Sequence, residues 1–483
     1  MTYDEPLHFK YGLNVLNGNT DRIEDSKMPV TALNALPLKL AGVSDIKSEK
    51  EYWNRVKNGR YVTILCSALL GILVFVWSRQ LYGFAAGLLS LVLYCFDPNV
   101  QAHARWMTTD LYAALAVTLA LYCFWRFLNR GGTWLALLSA LTLGLAQLAK
   151  FSAIYLYPVF IVIALLRWTR HRPRLIRSAS TLIVFALVNL AVINAGYLFN
   201  RTGQSLGEYE FRSELFRNIQ ARAGSPLRQV GLPLPAPFVE GLDWVKYNEV
   251  SGEFRGPTYL WGKTQKEPFG AYYPVAFLYK VPIAAQLIML MAILHVVLKR
   301  RRFRFLRNEL LLAAPMIFYA VYFTFFCAAQ LGIRLMLPVF PLMHVFCGSL
   351  FKIRIANRPV RALAGGLVVY LVISMMSYYP HYLSYFNELV LDRKNAYRIL
   401  ADSNLEWGQN DWYMLQYLED HPSTVLNPPE PIQGRMLVSV NILTGILQPD
   451  DYTWLAWVRQ NLEPVDHVAY SYLVYDVPPY RPF

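Results

Sequence analysis

Ten stretches of this chain are long and apolar enough to be read as membrane-spanning helices, at roughly 61–78, 80–97, 110–128, 133–150, 152–167, 178–199, 273–298, 309–330, 333–351 and 361–380. Each approaches the ~20 predominantly apolar residues that a bilayer crossing requires. The composition agrees: 55% of the 483 residues are hydrophobic and only 16% are charged, against about 25% charged in soluble proteins. The formal net charge of +14 does not mark a nucleic-acid binder, because the basic residues sit between apolar runs rather than on one polar surface. Cys66, Cys95, Cys123, Cys327 and Cys347 all lie inside apolar runs and none forms a C-x-x-C pair, which excludes a disulfide scaffold. The expected fold is an all-α polytopic membrane protein of about ten helices with a small α/β domain at its C-terminal end.

Orientation follows from where Lys and Arg collect, since cytoplasmic loops are enriched in them. Every second connection, starting after the first span, together carry 18 Lys and Arg between Arg79 and Arg361 and no Asp or Glu. Three long polar regions, 1–60, about 200–272 and 381–483, are balanced or acidic. The basic side is therefore read as cytoplasmic, with both termini and the long loop outside. Three units result: a first external loop, 1–60; a transmembrane module, 61–380, including external loop 200–272; and an external C-terminal α/β domain, 381–483. In the last, Arg435–Leu443 and His467–Val477 have the β-branched and aromatic content of strands, whereas Asp411–Asp420 and Tyr452–Asn461 read as helices.

Once the topology charges are set aside, seven charged residues remain in or beside the spans: Asp97, Arg105, Asp110, Lys150, Lys280, Glu309 and Arg334. Glu309 begins a span on the basic side and reads as an interfacial helix start. The other six map to the external side, and charges at membrane depth cost roughly 3 kcal/mol unless they face a cavity or partner. They gather with Asp4, Glu5 and His8 of T-Y-D-E-P-L-H and with Lys27 of K-M-P. The 97–110 connection, D-P-N-V-Q-A-H-A-R-W-M-T-T-D, crowds Asp97, His103, Arg105 and Asp110 into one loop. Thr108 or Thr109 is placed to cap the next helix there. An external Asp can take a proton from an incoming hydroxyl, and Lys27, Lys150, Lys280 and Arg334 suit a lipid phosphate. The bland alternatives are capping, snorkelling and ion pairing. Trp106, Tyr272, Tyr273 and Trp407 are placed either to stack on a sugar or to form an interfacial belt. The Asp/His spacing matches no standard metal-ligand pattern, so a divalent cation is only weakly supported.

With those residues in hand, the chain resembles the GT-C superfamily of polyprenyl-phosphate-dependent glycosyltransferases, in the branch of protein O-mannosyltransferases and aminoarabinose transferases. The resemblance rests on D-E-P-L-H with K-M-P, on D-P-N-V-Q-A-H-A-R-W-M-T-T-D, on L-G-I-R-L-M-L-P-V-F-P, and on S-Y-Y-P-H-Y-L-S-Y-F-N-E-L leading to A-D-S-N-L-E-W-G-Q-N-D. It implies that Asp4 deprotonates an acceptor hydroxyl, Glu5 positions it, and Lys27 and Arg334 stabilise the departing lipid phosphate. Asp110 matches the acid at the external start of the corresponding helix. Roles for His103, Arg105, Lys150 and Lys280 are less defined. A polyprenyl-phosphate sugar would be the donor, a glycan, lipid or protein hydroxyl the acceptor, and no metal obligatory.

The reaction so implied is an inverting transfer on the external face of a cell membrane. Two rivals stand beside it: a transporter or lipid flippase, and a catalytically silent scaffold of the same fold. The family has a helix ahead of its D-E loop, whereas three residues precede Asp4 here. The sequence is accordingly read as lacking that first helix. Lys27-Met28-Pro29 also stands where many relatives have a Pro-Pro pair.

Overall fold

The structure is a computed structural model that describes every residue except 1, 23–26, 44–48, 172–174, 252–255, 353–357, 448–452 and 480–483. Of the basic residues used for orientation, Arg172, Arg174 and Arg354 lie outside the described residues. Most of the chain is helical, and among the described residues small sheets occur only after residue 257.

Each expected span falls on helix. Glu49–Tyr82 contains the first, Phe84–Cys95 the second, and Thr109–Arg130 and Thr133–Ala149 the next two. A short 3-10 turn, Phe151–Tyr155, leads into Leu156–His171, followed by Leu175–Gly196. Among the described residues, Asn58–Tyr82 and Thr109–Arg130 are long and apolar enough to cross a membrane by themselves. Seven other apolar helices are shorter.

The segment expected as one span at 273–298 is two helices, Tyr272–Lys280 and Ile283–Leu298, bent by 107°. Pro282 lacks an N–H and pushes the residue before it out of helical geometry. Val281 accordingly has φ −87 and ψ 132. Glu309 does occupy a helix start, at Leu310–Phe325, yet it is fully buried beside Tyr82 rather than solvated. The helix N-terminus supplies a partial positive charge there.

Residues 200–272 carry the helices Glu214–Arg222 and Ala236–Ser251 and a two-stranded hairpin, Thr258–Leu260 with Lys263–Gln265. After residue 381 a four-stranded sheet forms in the order Val425–Leu426, Gly434–Ser439, Tyr472–Val477, Asp466–Val468. Its first pair is parallel and the other two antiparallel, with Met436 opposite Tyr475. The expected strand at 435–443 ends at Ser439, whose hydroxyl caps the short helix Val440–Leu443. The expected strand at 467–477 is broken by a turn with Ala469 and Tyr470 at positive φ. Helices Asp411–Asp420 and Thr453–Asn461 agree with the sequence reading. One hydrophobic core runs from the first long helix through the bundle into this sheet, from Leu70 and Trp77 to Met436 and Tyr475.

Candidate active site

The helix Glu5–Leu16 begins as its sequence dictates, with Asp4 at the N-cap and Pro6 in the first turn. It buries Phe9, Tyr11, Leu13 and Val15. Gly12 lets it approach residues 29–31 closely: a Cβ there would stand 2.4 Å from the Thr31 carbonyl oxygen. Asp4 makes no side-chain capping bond. Its carboxylate turns instead to Arg334, whose Nη1 lies 3.4 Å from Asp4 Oδ2.

Glu5 points the other way and is fully buried. Arg60 grips it with two hydrogen bonds, at 3.0 and 2.7 Å. The Thr2 and Met107 amides donate to it at 3.0 and 3.1 Å. A buried carboxylate so engaged anchors the start of the helix to the first long helix and to the 97–110 connection. The resemblance implies that Glu5 positions the acceptor; in the structure its carboxylate is engaged by Arg60, Thr2 and Met107.

In the 97–110 connection the two aspartates part company. Asp97 spends one oxygen capping Pro98–His103, accepting from the Asn99 and Val100 amides at 2.9 and 3.3 Å. The other lies 3.1 Å from Nε2 of the buried His344. Asp97 is thus a buried structural residue. Asp110, in the first turn of Thr109–Arg130, is 3% exposed and pairs with Lys150 Nζ at 2.5 Å. Thr108 donates to its other oxygen at 3.3 Å, and Arg334 Nη1 lies 3.9 Å from that oxygen.

Arg334 is the hub. It follows Gly332, whose φ of +81 is accessible to glycine without strain. Its Nε donates to the Leu331 carbonyl at 3.0 Å. Its guanidinium lies 4.0 Å from the ring centre of Trp407, a cation–π contact. One cation thus sits between Asp4 and Asp110, with Lys150 behind Asp110.

Lys27 is buried and close enough to His8 to act on it electrostatically. The adjacent Met28 fixes its place by packing against Phe151, Tyr197 and Phe238. His8 and His103 are also buried, and neither Nδ1 has a partner among the described residues. Burial holds both imidazoles neutral: His8 is pushed down to about 3, helped by Lys27, and His103 to about 4. His103 packs edge-on to Trp106 and tilted against Trp407.

Three expected site residues stand apart. Lys280 donates to the Leu383 and Asn404 carbonyls, each at 2.7 Å, and its ammonium lies 4.7 Å from the Phe386 ring centre. It ties the bent helix pair to the C-terminal region and, among the described residues, forms no ion pair with a carboxylate. Tyr272 is buried, its hydroxyl accepting from the Gly332 amide and from Asn404 Nδ2, both at 2.9 Å. Arg105 is exposed, with its guanidinium 5.4 Å from the Trp106 ring centre.

The sequence reading missed Arg60, Tyr3, His344, Asp402, Asn404 and Glu406. The dense run A-D-S-N-L-E-W-G-Q-N-D was the available signal for the last three. Asp402 lies within electrostatic reach of Arg334 and Asp4, and burial raises its carboxyl above the ordinary value. Among the described residues no group of three or more His, Cys, Asp or Glu could hold a metal ion.

Residues 54–195 match the family model described as dolichyl-phosphate-mannose-protein mannosyltransferase. The resemblance to GT-C glycosyltransferases is borne out by that match. No curated protein sequence matches the chain. Among solved structures, ArnT from Cupriavidus metallidurans in the apo state is similar, with 14% identity over 97% of this chain and 92% of that one and a TM-score of 0.31. The same protein bound to undecaprenyl phosphate is similar at 15% identity, over 98% and 92% of the two chains, with a TM-score of 0.30.

Proposed function

We propose that the protein is an integral-membrane glycosyltransferase of GT-C type. It moves a sugar from a polyprenyl-phosphate donor to a hydroxyl acceptor on the external side of a cell membrane. The ten apolar segments cross the bilayer, leaving 1–60, 200–272 and 381–483 outside. The observation that carries this reading is the part-buried grouping of Arg334 with Asp4 at 3.4 Å and Asp110 at 3.9 Å, with Lys150 behind it. Such a transfer needs a carboxylate to take the acceptor's proton and a cation to receive the departing phosphate. The undecaprenyl phosphate in one similar structure is consistent with a lipid phosphate.

In the proposed step Asp4 takes the proton of the acceptor hydroxyl. The oxygen attacks the anomeric carbon from the side opposite the phosphate, and the bond from that carbon to the phosphate oxygen breaks with inversion. The electron pair leaves on the lipid phosphate, where Arg334, with Lys27 and Lys150 near it, offsets the developing charge. Two or three cations are enough to hold a monophosphate, so no metal is required. Asp110 holds Lys150 and Arg334 in place, and Glu5 holds the start of the helix that carries Asp4.

Purified protein in lipid nanodiscs, given a polyprenyl-phosphate sugar, tests the reading: Asp4→Asn should abolish transfer while expression and unfolding temperature stay at the wild-type level. Unchanged transfer would remove Asp4 as the base. A transporter reading draws on the helix bent at Pro282, since broken helices line transport sites. Substrate-dependent uptake into vesicles would favour it.

A further inference from the structure

One segment of the C-terminal region, Asp402–Trp407, touches both halves of the candidate site. On one side it holds the residue before Asp4. The Tyr3 amide donates to the Trp407 carbonyl at 3.2 Å, and the Tyr3 hydroxyl donates to Glu406 Oε1 at 3.1 Å. Glu406 is itself fixed by the Ser439 hydroxyl at 2.8 Å and the Gly408 amide at 3.3 Å.

On the other side the segment interlocks with the turn that carries Arg334. Asn404 Oδ1 accepts from the Ile333 amide at 3.0 Å. The Ser403 hydroxyl donates at 2.7 Å to the Leu331 carbonyl, the same oxygen that receives Arg334 Nε. A Cβ at Gly332 would come within 2.6 Å of that hydroxyl oxygen. Asp402, with φ 57, keeps a left-handed backbone that is strained in a non-glycine residue. Its amide donates to Asn441 Oδ1 at 2.8 Å, which helps to maintain it. Trp407 then lies against the guanidinium.

We propose that Asp402–Trp407 is a positioning element of the active site, which sets the separation of Asp4 from Arg334 through Tyr3–Glu406 on one side and Ile333–Asn404 on the other. The proposal rests on the roles given above to Asp4 and Arg334. Attack and phosphate departure must be aligned in one geometry, and a displacement of about 1 Å can cost on the order of a hundredfold in rate. A region that merely covered the site would have no need to fix both reacting sides by hydrogen bonds.

The test uses the full chain in nanodiscs with two variants. Tyr3→Phe removes one hydroxyl, and Asn404→Ala removes the grip on Ile333. Each should lower kcat about tenfold or more, with KM for a polyprenyl-phosphate sugar held within about twofold. Hydrogen exchange should rise at residues 331–335 in Asn404→Ala and at residues 3–8 in Tyr3→Phe. Wild-type kcat in both variants, or exchange rising only within 400–410, would overturn the proposal. Should the wild-type protein show no transfer, the glycosyltransferase reading falls, and the exchange pattern alone decides the positioning claim.

Discussion

Arg334 and Asp4 hold each other, Nη1 to Oδ2, across 3.4 Å. The carboxylate assigned to proton removal is thus partnered by the guanidinium assigned to the phosphate before either meets a substrate. A lipid phosphate entering the site would compete with Asp4 for Arg334 and release the carboxylate towards the acceptor. Asp4→Asn should therefore bind a polyprenyl phosphate at least as tightly as the wild type while losing transfer. Binding measured by calorimetry checks this, and a several-fold loss of affinity would show that Asp4 supports the phosphate site instead.

The pair formed by Asp110 and Lys150 is tight and largely buried. Removing one member of such a pair leaves an uncompensated charge, at a cost of about 3–5 kcal/mol. Lys150→Met should fall at the lower end of that range, because Arg334 still faces Asp110. A markedly lower unfolding temperature is expected for Lys150→Met, with part of the loss recovered in Lys150→Met/Asp110→Asn. No recovery in the double variant would mean that the two residues act separately.

The neutral buried histidines give stability a pH dependence of definite sign. His8 and His103 sit at about 3 and about 4 in the folded chain, against an ordinary 6.5. The unfolded chain binds their protons first, so their contribution is intact above pH 6.5 and is lost progressively as pH falls towards those lower values. Asp402 and Glu406, raised by burial, work in the opposite sense: their contribution is greatest at low pH and declines as pH rises. Unfolding temperatures of the wild type and His8→Phe at about pH 7 and about pH 5 separate the two. The drop on acidification should be smaller in His8→Phe, and an equal drop would remove His8 from the account.

Lys280 provides a test of what the site excludes. Its Nζ donates to two carbonyls and lies over an aromatic face. Lys280→Met leaves the Leu383 and Asn404 carbonyls without that donor, at about 1–3 kcal/mol for each unsatisfied group. The variant should unfold at a lower temperature yet keep its affinity for polyprenyl phosphate. A lost affinity with unchanged stability would return Lys280 to the phosphate site.

The helices were legible as long apolar runs, and the gathering of Asp4, Asp110, Lys150 and Arg334 was legible once topology charges were set aside. What escaped was pairing across distance. Nothing local in D-E-P distinguishes an aspartate paired with Arg334 from a glutamate locked to Arg60, 55 residues on. Nothing near Asp97 announces His344, 247 residues away. Both aspartates at helix starts look like caps in sequence, and only the structure separates Asp97, which caps, from Asp4, which does not. The bend at Pro282 and the turn at Ala469–Tyr470 are local events that a run of apolar or β-branched residues concealed.

The hydrogen bond from Tyr3 to Glu406 joins residues 403 positions apart, which has a consequence for biosynthesis. Contacts so remote in sequence form late, because a long loop must close before they yield any stabilisation. During translation the apolar helices can enter the bilayer one after another, while Asp4 and Arg334 still lack their shared support. On the positioning proposal, a chain ended before residue 402 would keep the apolar helices but lack the segment that braces Asp4 and Arg334.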